Sequence, residues 1–192
     1  MISKISRGIS SAGRAVALQA IGQRFDPAIL HHFITMFHIF DDTFAEKDLK
    51  AVQRWAVSLS DDDTWFDSDQ LSFASQLVDM ASKYFDLSAM IGCEMHINYD
   101  TPNPHKDKDE DAWSIRRELI HPLCSIVYYP LVNVSKGGNL FFPEYGVSIA
   151  PRTNRTVIFR SDLLHAGTPC TGIRQSIGIN PWDKKPFAYT RA

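Results

Sequence analysis

Residues 123–142, "LCSIVYYPLVNVSKGGNLFF", decide the fold class. Aromatic and β-branched side chains crowd the first half, as they do in strands. Ser135-Lys136-Gly137-Gly138 then interrupts the apolar run before "NLFF" resumes it. Two adjacent glycines suit a tight turn that needs positive φ. The segment therefore reads as strand, turn, strand.

Working outward, the same texture continues. Downstream lie "GVSIA" (146–150), "TVIF" (156–159) and "RQSIGIN" (174–180), each short and each bounded by Gly, Pro or Asn. Upstream, residues 91–99, "IGCEMHINY", alternate with a period of two: Ile91, Cys93, Met95, Ile97 and Tyr99 on one face, Gly92, Glu94, His96 and Asn98 on the other. Many short strands with turn punctuation indicate a mainly β, α+β chain built on a double-sheet jelly roll, a double-stranded β-helix core. The apolar face of 91–99 is taken as the inward one, which would aim Tyr99 into the barrel and His96 away from it.

Before residue 87 the period is helical. Thr43-Phe44-Ala45-Glu46 has the form of a capping box, and Ala45, Leu49, Val52 and Trp55 follow at helical spacing, which predicts a helix over 44–58. Leu71, Ala74, Leu77, Val78, Ala81 and Phe85 predict a second over 69–85. "SLSDDDTWFDSD" between them reads as a polar loop, and "MFHIFDD" before them as a strand. Asp26-Pro27 marks the start of a further short helix. These helices are expected to cover one outer sheet face. Residues 1–25 hold Lys4, Arg7, Arg14 and Arg24 and no acid; a mobile extension leading into a single domain over 26–192 is expected, although the composition resembles a transit peptide.

The chain has 192 residues, a net charge of −2 and 44% apolar residues, enough for one well-filled core and without the basic field that nucleic acid demands. No apolar run is long enough for a membrane span. Cys93, Cys124 and Cys170 are scattered, which fits a reducing, cytoplasmic setting.

The chemistry begins at 104–111, "PHKDKDED". His105 and Asp107 are two apart, so on an extended segment both project to one side. His165, just after "TVIF", supplies a third candidate. Two imidazoles and one carboxylate form the facial triad of non-haem Fe(II) oxygenases. Nine residues past His165 comes Arg174, then Ser176, a guanidinium fork and a hydroxyl suited to a carboxylate. Tyr99, Tyr128 and Tyr129 are candidates beside it, with Tyr99 and Tyr129 preferred. His121 reads as structural, and Asp109, Glu110 and Asp111 as a solvated run bordering the site, with substrate contact open to Asp109.

The ordered set resembles the 2-oxoglutarate/Fe(II)-dependent dioxygenase superfamily, in its prolyl-4-hydroxylase-like branch. The resemblance spans roughly 38–182: "FDDTFAEKDLKAVQ", the His-x-Asp, "CSIVYYPLVNVSKGGNLFFPE" and "NRTVIFRSDLLHAGTPCTGIRQSIGIN". It implies that His105, Asp107 and His165 hold Fe(II), and that Arg174, Ser176 and Tyr99 or Tyr129 bind the cosubstrate 2-oxoglutarate. It further implies that O2 is consumed to hydroxylate a C–H bond of an amino acid, peptidyl residue or small metabolite, with release of succinate and CO2. "HKDKDE" also resembles the His-x-Asp-x-x-Glu of DNA-alkylation repair dioxygenases, through His105, Asp107 and Glu110. A nucleic-acid demethylase of that kind would carry a second arginine where this chain has Asn180. A cupin-like jelly roll that holds metal without redox chemistry is the third reading, and Arg174 speaks against it.

Overall fold

The computed structural model describes residues 36–99 and 103–190. The helix expected from Asp26 and the extension over 1–25 lie outside them. In chain order the elements are β1 (Phe37–Phe40), a 3-10 turn (Glu46–Asp48), α1 (Leu49–Ala56), β2 (Thr64–Asp67), α2 (Ala74–Ala81), β3 (Gly92–Asn98), a π-helical turn (Ala112–Arg116), β4 (Ser125–Gly137), β5 (Leu140–Phe142), β6 (Val147–Ile149), β7 (Arg155–Phe159), β8 (Ala166–Gly167), β9 (Cys170–Trp182) and a closing 3-10 turn (Phe187–Tyr189).

The strands form two antiparallel sheets. The larger has the order β1-β7-β4-β9-β3-β2 and the smaller β6-β5-β8. The decisive stretch is β4 and β5, and Gly137 and Gly138 between them have φ of +75° and +76°. At Gly137 a Cβ would stand 2.0 Å from the Pro169 carbonyl oxygen, so only glycine fits.

The large sheet has a core on each face. Against one face lie α1 and α2, with Val52, Ala56, Leu77 and Ala81 packed on Cys93, Met95, Ile97, Tyr128 and Ile177. Between the two sheets lies a second cluster, with Tyr129, Leu140, Phe142 and Phe159. The helices cover one outer face, as their apolar stripes require.

β4 switches phase midway. Tyr128 pairs with Ile177, but Leu131 pairs with Gln175, so one extra residue is held at Tyr129-Pro130. A proline has no N–H to give the ladder, and a bulge is where a strand tolerates it. Upstream of the bulge the odd positions Val127 and Tyr129 face the second sheet; downstream Val132 does so, opposite Arg174.

Three expectations need correction. The helix predicted over 44–58 runs from Leu49 to Ala56 behind the 3-10 turn, and Thr43 caps nothing: its hydroxyl bonds to that of Thr156 at 2.8 Å. The helix predicted over 69–85 is α2, Ala74–Ala81. The polar loop contains β2, an edge strand paired to β3 from Thr64↔Met95 to Asp67↔Gly92. Its four residues sit among aspartates and serines and bury little, so it has no periodic signal. Among the described residues no helix is long and apolar enough to cross a membrane.

Candidate metal and cosubstrate site

The backbone brings the two histidines together. His105 N–H donates to the His165 carbonyl and His165 N–H to that of His105, both at 2.9 Å, forming an isolated antiparallel bridge. Their rings stand 4.3 Å apart. Each Nδ1–H is spent on a main-chain carbonyl, His105 on Asn103 at 2.7 Å and His165 on Leu163 at 3.0 Å. That fixes the tautomer and leaves both Nε2 lone pairs for a metal. Both Nε2 atoms face Asp107 Oδ1, at 3.5 and 3.8 Å, and the ligand atoms of the three residues lie within 4.8 Å of one another.

Asp107 is held in turn. Its Oδ2 accepts from the Ser125 hydroxyl, and its carbonyl accepts from His121 Nδ1–H at 2.6 Å. His121, read from sequence as structural, therefore positions a member of the cluster, and Ser125 was not singled out at all. Burial pushes the Asp107 carboxyl up, but the His105 bond, the His165 ring and the Ser125 hydroxyl together hold it below its ordinary value. Burial keeps the His165 imidazole low, hence neutral, while Asp107 raises that of His105. A half-buried carboxylate facing two fixed imidazole lone pairs is a donor set that fits a divalent transition metal.

The cluster opens on a cavity of about 350 Å³ between the sheets. Arg174, Ser176 and Tyr129 line it as well. Arg174 is 4% exposed, with one guanidinium N–H directed at the Gly138 carbonyl, 3.4 Å away. Burial raises the Tyr129 hydroxyl to about 12, so it stays a hydrogen-bond donor. Ser176 donates to the Asn98 carbonyl at 3.3 Å. A forked cation beside a hydroxyl donor, in a cleft with the metal-type cluster, suits a dicarboxylate that spans both.

The remaining candidates lie as follows. Tyr99 lies beyond the end of β3, is 49% exposed and does not line the cavity. Tyr128 is fully buried under the helices, with its hydroxyl on Asn154 Oδ1 at 3.2 Å. His96, expected to point away, lines the cavity with Asn98, Gly178 and Asn180. The apolar face of β3 is inward toward the helices, and the polar face is the one that sees the site. Asp109, read as part of a solvated run, is buried away from the His105–Asp107–His165 cluster: it is 5% exposed, and its two oxygens accept from the Ala112 and Phe187 N–H groups at 2.9 and 2.7 Å. Trp182 is core, and Trp113 is 39% exposed.

No family model matches the sequence. No curated protein matches it by sequence either. Solved structures do match by shape. A prolyl-4-hydroxylase of Pseudomonas putida is 19% identical with a TM-score of 0.57, over 83% of this chain and 93% of that one. A prolyl hydroxylase of Trichoplax adhaerens, in complex with a hypoxia inducible factor oxygen degradation domain peptide fragment, is 14% identical with a TM-score of 0.58, over 85% and 91%. The viral collagen prolyl hydroxylase of Paramecium Bursaria Chlorella virus-1, as a 2OG complex, is 15% identical with a TM-score of 0.54, over 76% and 95%. The jelly roll of prolyl-hydroxylase-like 2-oxoglutarate oxygenases, implied by the ordered motifs, is therefore the fold of this chain.

Proposed function

We propose that the chain is a 2-oxoglutarate- and Fe(II)-dependent oxygenase that hydroxylates a C–H bond of an amino acid, a peptidyl residue or a small metabolite. The observation that carries this reading is the joint placement of the His105–Asp107–His165 cluster and buried Arg174 on one cavity. A metal site of purely structural use has no need of a buried guanidinium in the same cleft.

In this reading His105 Nε2, His165 Nε2 and an Asp107 oxygen hold Fe(II), and His121 and Ser125 keep Asp107 in place. When bound, Fe(II) supplies the activation of O2 that couples decarboxylation of 2-oxoglutarate to oxidation of the substrate. Arg174 pairs with the far carboxylate of 2-oxoglutarate through its fork, and Tyr129 and Ser176 offer hydroxyls beside it. Tyr129 sits on β4 and Arg174 and Ser176 on β9, while the His105–His165 bridge fixes the cluster beside them, which favours a single orientation of the reactants. The chain has no excess of positive charge, and Asp61, Asp62 and Asp63 line the mouth, so a phosphate backbone is a poor fit to this opening.

The test is direct. Purified protein given Fe(II), 2-oxoglutarate and O2 should form succinate, and His165→Ala should abolish it. Metal retained at one equivalent with no succinate formed, under any substrate pool, would support the cupin-like reading instead.

A further inference from the structure

We infer that His96 is a substrate-positioning residue, hydrogen-bonding through Nε2 to a carbonyl or carboxylate oxygen of the substrate; the inference rests on the oxygenase reading above. His96 lies on the cavity face of β3, in the same cleft as the metal-type cluster but outside it. Its ring is fixed from two sides. Nδ1 is 2.7 Å from Asp63 Oδ1, which places a proton on Nδ1 and leaves Nε2 as the ring nitrogen free for the cavity. Asp63 in turn belongs to a loop tied to the strand, since Ile97 N–H donates to the Ser60 carbonyl at 2.8 Å.

The other side is Gly178, the cross-strand partner of His96 on β9. A Cβ on Gly178 would stand 2.6 Å from His96 Cε1 and 2.8 Å from Nε2. The imidazole thus occupies the space that any larger residue there would fill, and the glycine is what admits it to the cavity wall. An imidazole braced in this way has little rotamer freedom left to lose on binding.

The field around the ring selects its partner. Burial opposes a charge on the ring, but the Asp63 bond and the charges of Asp63 and Asp107 hold the imidazole above its ordinary value. With the Asp63 carboxylate 2.7 Å from Nδ1, the ring is placed to act as the cationic half of an ion pair, and an imidazolium held in that way donates from Nε2 to an oxygen acceptor. Two sources carry that oxygen: the carboxylate of a free amino acid and the main-chain carbonyl of a peptide.

The experiment measures stimulated succinate formation by the full chain with Fe(II) and 2-oxoglutarate. One arm contains an equimolar mixture of the twenty L-amino acids, the other a pool of synthetic peptides with blocked ends. One arm should stimulate the wild type, and the responding arm identifies the source of the oxygen. His96→Phe should raise the half-saturating concentration of that pool by about tenfold or more, the loss of one charge-assisted hydrogen bond. The maximal rate should change less than half-saturation does. His96→Gln, which places an amide N–H near the Nε2 position, should recover most of the loss. Gly178→Ala, which keeps the imidazole but displaces it, should reproduce the defect even if His96→Phe fails to fold. Half-saturation within about twofold of wild type in both His96→Phe and Gly178→Ala would overturn the inference. So would a wild type that turns over 2-oxoglutarate yet responds to neither pool. A wild type that forms no succinate at all would instead overturn the oxygenase reading, and with it the role given to His96.

Discussion

On β3 the odd positions Cys93, Met95 and Ile97 meet the helices, and the even positions Glu94, His96 and Asn98 turn the other way, His96 and Asn98 onto the cavity. On β9 the same division separates Ile177 and Ile179 from Arg174, Ser176, Gly178 and Asn180. One face of the sheet is a packed, dry core. The other is a polar wall with charge, amide and hydroxyl groups held at fixed positions. The contrast shows that one strand can serve stability and chemistry at alternate residues, and that substitutions on the two faces should fail in different assays.

The largest effect should come from the cavity face. Asp107→Ala removes the oxygen that both imidazoles face, and should eliminate Fe(II) binding and succinate formation together, measured by metal content and turnover, with a melting curve close to wild type. Full metal occupancy in that variant would break the contrast, since the site would then be built from other residues. Arg174→Ala should weaken 2-oxoglutarate binding by about 2–5 kcal/mol, measured by calorimetry on the metal-loaded protein. Lysine there should recover part of it, as a point charge without the fork.

The helix face should behave in the opposite way. Leu77→Ala, at a fully buried position, should cost about 2–5 kcal/mol of stability in urea denaturation. Turnover per folded molecule should be unchanged. A fall in the 2-oxoglutarate affinity of Leu77→Ala, measured on folded protein, would mean that the two faces are coupled through the sheet.

Asp109→Ala should be milder, about 1–3 kcal/mol, since it removes a carboxylate that accepts two main-chain N–H groups. Metal content should hold, because Asp109 ties the loop to the closing 3-10 turn and does not reach the cluster.

The smallest effect concerns pH. Burial, with repulsion from Asp63 and Asp107, raises Glu94 to about 7 against the opposing Tyr189 hydrogen bond and the His96 charge. The folded protein therefore keeps a proton that the unfolded chain releases near 4.5. The stability this contributes is complete below pH 4.5 and lost as pH rises to 7. Glu94→Gln should flatten that part of the stability profile, and an unchanged slope between the two pH values would show that Glu94 is ionised throughout.

Much of this was legible in the chain. Strand–turn–strand texture around Gly137-Gly138 announced the sheets, and the order His105, Asp107, His165, Arg174 marked the residues that now share one cleft. What misled was the rule that an apolar face points to the interior. It does, but this sheet has two interiors, and on β3 the apolar face is the one under the helices. Tyr99 was placed in the cavity and His96 outside it for that single reason. Tyr128 and Tyr129 differ only by strand parity, which a bulge at Pro130 resets and which no periodicity reveals. β2 is too short and too polar to carry a signal, and the anchoring role of Asp109 depends on Phe187, which is distant in sequence.

The reciprocal bonds between the main chains of His105 and His165 set how the cluster would receive a metal ion. These bonds join two segments far apart in the chain with no ion involved, so the loop-closure entropy is settled by folding and not by ligation. The cluster should therefore behave as a rigid socket and not as a clasp that an ion draws shut. Exchange among divalent ions of similar radius should proceed without unfolding, and selectivity should follow ligand chemistry more than any adjustment of the chain.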